Sequence, residues 1–154
     1  MPSSPPNLPS AAPPAARPAA LGWRLLALVY DCLPVVAIWF LFSFFVVLAH
    51  DGPIRPWSPG FWLQNVALWA LTGVYAVASW ARGGQTLGMR PWRLRVIGAA
   101  TPSATRSQLI LRYLWSTVSL AAFGLGFAWS LVDPQRRSWH DRLSGTRMVR
   151  QPKA

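Results

Sequence analysis

Acidic residues are nearly absent from this chain: it has four, all Asp and no Glu, against fifteen basic residues, of which fourteen are Arg. Two His and a single Cys, Cys32, make an equally short supply of metal ligands and nucleophiles. A hydrolytic metal centre needs several His and carboxylate ligands, so the His140-Asp141 doublet lacks companions for one. An intramembrane aspartic pair would need a second acid facing Asp31 across a span, and the remaining Asp residues lie outside the apolar runs. One Cys forms no intrachain disulfide. Neither an enzyme nor a resident cofactor is expected.

What abounds is apolar. Hydrophobic residues make up 53% of the chain, charged ones only 12%, and there are ten Trp. Three runs, 21–48, 61–80 and 114–132, each reach the roughly 20 residues that cross a hydrocarbon core. The net charge of +11 comes from Arg residues lying between or beside these runs, which is the pattern of a positive-inside membrane protein. No aromatic and basic stripe sits on a soluble domain, so nucleic acid is not expected as a partner. The expected partner is the lipid bilayer, in a multi-pass cell-membrane protein.

Residues 1–20 hold seven Pro among Ala and Ser and are expected to be disordered or locally extended, as a cytosolic tail. A membrane domain over 21–149 follows, then a basic tail over 150–154. The loop after His50 carries Arg55 alone and should face outside. From Arg82 to Arg112 there are six Arg and no acid, so that stretch should face the cytosol. The third run poses a conflict, because a single crossing would carry Arg136, Arg137, Arg142, Arg147, Arg150 and Lys153 outside. Gly124-Leu125-Gly126 could instead break it into a re-entrant hairpin, which the charge bias favours over a single span. Alternation over 93–97 and 146–149 predicts two strands pairing as a small cytosolic cap. The fold class is thus an all-α membrane protein with two transmembrane helices, a third hydrophobic element and a two-stranded cap.

Asp31 lies within the first run, about 15 Å from its start and so near the midplane of a roughly 30 Å core. A charged Asp at a helix centre costs roughly 2.5 to 3.5 kcal/mol on insertion scales. Pro34 removes the hydrogen bond to the Tyr30 carbonyl one turn away, which either bends the helix or opens a polar pocket for a cation. Arg24 is about 10.5 Å from Asp31 along the axis, too far for a pair. Asp141 is the expected partner of Arg24, and Arg112 the expected neighbour of Asp31. Each could be a buried pair that fixes docking; an intramembrane acid also marks an ion path.

Leu21-Gly22-Trp23-Arg24 with Asp31, Gly84-Gln85-Thr86-Leu87-Gly88 before Arg93-Leu94-Arg95-Val96, Arg112-Tyr113, and Trp139-His140-Asp141-Arg142-Leu143-Ser144-Gly145-Thr146 together resemble the RDD family. That family is named for one arginine and two aspartates, which Arg24, Asp31 and Asp141 match. The resemblance covers residues 21–149, with Met89, Trp139 and Ser144 departing from the usual residues. It implies a small integral membrane protein of poorly defined function, with transport suggested for the family and sodium-proton exchange linked to some members. Two functions are therefore expected as alternatives. One is a cation- or proton-coupled transporter, or a subunit of one, that uses Asp31 with Tyr30, Pro34, Arg112 and His140 in support. The other is a non-catalytic scaffold or accessory subunit that docks partners through its cap. Either would act as a homo-oligomer or beside a membrane protein partner.

Overall fold

The computed structural model describes residues 16–50 and 52–152. Two long helices dominate it. The first, α1 (Leu21–Ala49), passes through Pro34 without a break, and α2 (Pro59–Gly83) runs back beside it. Ser58 caps α2 by accepting from the Phe61 N–H at 3.2 Å, and Pro59 supplies a first-turn residue that needs no donor. Gly84 ends the helix at φ 70°, the left-handed conformation that favours glycine.

These helices are built for an apolar solvent. Only Arg24 and Ala27 are buried on α1, and only Gly73 and Ala76 on α2, while Leu33, Phe40, Leu63 and Val74 stand well exposed. Both are long and apolar enough to cross a membrane. They hold each other through polar tips: Trp39 Nε1 donates to Thr72 Oγ1 at 2.9 Å, and Gln64 Nε2 donates to Ser43 Oγ at 3.1 Å.

The third apolar run is broken. Helix α3 (Arg106–Ala121) begins with a capping box between Thr105 and Gln108. The chain then turns at Phe123 and Gly124, at φ 53° and 77°, and continues as the short α4 (Leu125–Ala128) and a 3-10 turn (Trp129–Leu131), bent by 108° from α3. The break falls at the glycines the sequence singles out. Helix α5 (Trp139–Leu143) carries the His140-Asp141 doublet.

A sheet closes one end of the bundle. Its order is β1 (Arg17–Pro18), β3 (Thr146–Arg150), β2 (Leu94–Gly98), all antiparallel. Leu94 faces Arg150 and Gly98 faces Thr146, while Arg17 takes the other side of Arg150. The sheet therefore has three strands rather than the two expected. Within the stretch expected to be disordered or locally extended, Arg17–Pro18 forms its third strand, and Arg150 ends β3 instead of opening a tail. Residues 1–15, Asp51 and Lys153 lie outside the described residues.

The core sits under this sheet. Ala19, Ala27, Met89, Leu94, Val96 and Leu109 are buried together, with Trp23 and Trp92 packed against them at 5.2 Å between rings. Arg150 lies 4.0 Å above the Trp23 ring. The first turns of α1 thus belong to this cap as much as to a membrane span.

Candidate functional site

Two carboxylates organise this end of the molecule, and they are held in opposite ways. Asp141 is fully buried and takes two guanidinium groups: Arg24 Nη1 reaches Oδ2 and Arg112 Nη1 reaches Oδ1, each at 2.5 Å. The same Asp141 Oδ2 accepts from the Ser138 N–H at 3.1 Å, closing the first turn of α5. Arg24 also donates to the Ala19 and Arg136 carbonyls and to Ser138 Oγ. Arg112 donates to Thr146 Oγ1 at 2.7 Å. One acid therefore ties α1, α3, α5 and β3 together. Burial alone would raise the Asp141 carboxyl, but Arg112 and then Arg24 hold it well below the usual carboxylate range. Burial, then the Arg112 charge, pushes the neighbouring His140 imidazole down to about 3, so it is neutral.

Among the described residues, no cation forms an ion pair with Asp31. Its Oδ1 accepts from Tyr75 OH at 2.8 Å and from the Gly88 N–H at 2.8 Å, and its Oδ2 accepts from Thr86 Oγ1 at 2.5 Å. The loop after α2 supplies two of these donors by folding back along α1. Gly88 allows the approach, since a Cβ there would overlap the Ala27 carbonyl and stand 2.7 Å from Asp31 Cγ. Arg112, expected beside Asp31, is committed to Asp141 instead. Two carboxylate oxygens can take two guanidinium forks, whereas the hydroxyls and amide around Asp31 already satisfy it.

Along α1, Asp31 lies about 15 Å from the first residue and about 27 Å from the last at about 1.5 Å per residue, and its partner Tyr75 lies about 24 Å from the start of α2. Of the supporting residues, Tyr30 turns its ring edge-on to Trp92 at 5.6 Å, and Pro34 makes no contact with the carboxylate cluster that a hydrogen bond would mark.

Asp31 lines a cavity of about 170 Å³ together with Tyr75, Arg112 and His140, with Trp80 and Phe127 among the apolar walls. His140 Nδ1 and Trp80 Nε1 are both buried and find no hydrogen-bond partner among the described residues. Among the described residues no three His, Cys or acidic side chains gather as a metal-binding group.

The arginine on α1, the aspartate one helical face further on, and the aspartate of the closing motif are thus drawn to one end of a single fold. The family model described as RDD family matches residues 18–145. The chain belongs to the RDD family. The three residues matched in the sequence to the family's name divide into an ion-paired couple, Arg24 and Asp141, and a separate hydrogen-bonded acid, Asp31. No curated protein and no solved structure matches this RDD chain. Sequence reasoning missed Tyr75, Thr86 and Gly88 as partners of Asp31, although Thr86 and Gly88 belong to the motif that carries the family resemblance.

Proposed function

We propose that this RDD protein moves a monovalent cation or proton across the cell membrane, alone as a homo-oligomer or as a subunit of a transport assembly, and that Asp31 is the exchanging group. The observation that carries this reading is the contrast between the acids. Asp141 is neutralised by two Arg, whereas Asp31 lines a cavity and, among the described residues, meets only neutral donors. Its carboxylate lies with the Tyr75 and Thr86 hydroxyls, hard oxygens suited to a small cation once their protons turn away. No chemical reaction and no cofactor is assigned.

Topology supports access from one side. Strand β1 precedes α1, β2 follows α2 and β3 ends the third run, yet all three share one sheet. The third run then enters and returns on that side, as the 108° bend allows. Positive-inside bias assigns the side to the cytosol, with the N-terminus there.

The second reading, a scaffold or accessory subunit, draws on the same hydrogen bonds, which fasten the 84–93 loop to α1. Proton and sodium flux in proteoliposomes separates the two. In Asp31→Asn the amide oxygen can still accept from Tyr75 and Gly88, and Thr86 can reverse to accept, so the fold is kept while the charge is removed. Flux is expected to fall to the level of empty vesicles with unchanged melting. Undiminished flux in that variant, or no flux in the wild type, leaves the scaffold.

A further inference from the structure

Helices α2 and α3 leave an open groove of about 480 Å³, which shares only Tyr113 with the lining of the cavity beside Asp31. Its walls are apolar, and the large side chains along it, Val74, Ile110 and Leu114, are exposed on the helix surfaces that face lipid. The floor is made by a close approach: a Cβ on Gly73 would stand 2.7 Å from Tyr113 Cε1, so only glycine lets the Tyr113 ring lie against α2. Tyr113 OH donates to the Trp69 carbonyl at 2.6 Å, and Trp69 Nε1 donates to Thr117 Oγ1 at 3.2 Å, which fixes the far end. From Trp69 to Arg82 the groove follows α2 for about 20 Å, more than the roughly 15 Å half-thickness of a hydrocarbon core.

The near end is different in kind. Arg82, in the last turn of α2, and Arg106, the first residue of α3, both line it. Among the described residues neither forms an ion pair. Arg90 and Arg95 lie with Arg82 around the two smaller polar hollows that adjoin this end. A cluster of guanidinium groups at the sheet-bearing boundary, opening onto an apolar channel deeper than one leaflet, matches one ligand chemistry: a phosphate or phosphodiester anion continuous with a hydrocarbon chain.

We propose that this groove binds one anionic phospholipid, its acyl chain along α2 and α3 and its headgroup on Arg82 and Arg106. Arginine suits the headgroup because its fork meets two phosphate oxygens at once. The site is independent of Asp31.

Native mass spectrometry of the full chain in detergent tests it, with phosphatidylglycerol and phosphatidylcholine of matched acyl chains as probes. The wild type should retain phosphatidylglycerol about thirty-fold better, the preference expected from two near-surface Arg. In Arg82→Gln/Arg106→Gln the two lipids should be retained equally. Val74→Trp, which fills the channel from its exposed wall, should lose both lipids while melting as the wild type does. Soluble glycerophosphoglycerol in excess should not displace the bound lipid; complete displacement would mark a site for the free headgroup and overturn the groove. Equal retention of the two lipids by the wild type, or an undiminished preference in the double variant, also overturns it.

Discussion

His140 is a buried, neutral imidazole within the field of Arg112, Asp141 and Arg24, with Ser138 Oγ 2.8 Å from its Nε2 and the Phe127 ring 4.6 Å away. Its folded pKa, about 3, lies below the roughly 6.5 of an unfolded His. An unfolded chain therefore binds a proton that the folded one refuses, and the stability due to neutral His140 is fully present above pH ~6.5 and lost as pH falls toward 3. Asp141 acts in the same direction at lower pH, because its depressed carboxyl contributes stability that is lost as pH falls through the folded value. Denaturant unfolding followed by Trp fluorescence in micelles should show about 1.4 kcal/mol lost per pH unit between pH 6 and 4. His140→Gln should flatten that slope. Equal stability of the wild type at pH 6 and pH 4 counts against a buried neutral His140.

The ion-paired residues were only half legible. Arg24 and Asp141 could be matched because each charge, placed near one membrane boundary, needs an opposite one. Arg112, at the mouth of the third run, reads in the sequence as the neighbour of Asp31, yet it pairs with Asp141. What decides is the supply of neutral donors, Tyr75, Thr86 and the Gly88 amide. A backbone N–H leaves no mark in a sequence, and Gly88 marks it only through the absence of a side chain.

At the scale of elements, the loop between α2 and β2 gives the sharpest test. Its Gly88 abuts Ala27 and Asp31 so closely that any side chain must move the loop off α1. Gly88→Val should destabilise by about 1 to 3 kcal/mol, the usual cost of overpacking, and should open the 84–93 loop to protease. Wild-type melting with an uncleaved loop would show that the loop is not held this way. The long helices were legible from run length, and the break in the third run from Gly124. Strand β1 was not, because two residues beside a proline carry no periodicity and are defined only by their partner, β3. Pro34, expected to bend its helix or open a polar pocket, sits inside a helix that continues for fifteen residues beyond it.

For the whole molecule, one sheet joins stretches from before α1, after α2 and after the third run. Impermeant thiol labelling with Cys32 replaced should reach Arg90→Cys and Arg147→Cys from the same face, and Arg55→Cys from the opposite one. All three positions suit the experiment, since Arg90, Arg147 and Arg55 are exposed. Labelling of positions 90 and 147 from opposite faces would mean that the third run crosses.

The central place of β3 also sets an order of events during synthesis. Strands β1 and β2 each pair with β3 and not with each other, and Arg24 and Arg112 share the one carboxylate just before it. While the ribosome is still making the first 140 residues, two arginines wait without their counter-ion and two strands without their template. The membrane helices are inserted first and the lock arrives last. A nascent chain halted shortly before Asp141 would carry both guanidinium charges without the carboxylate that pairs them in the finished fold.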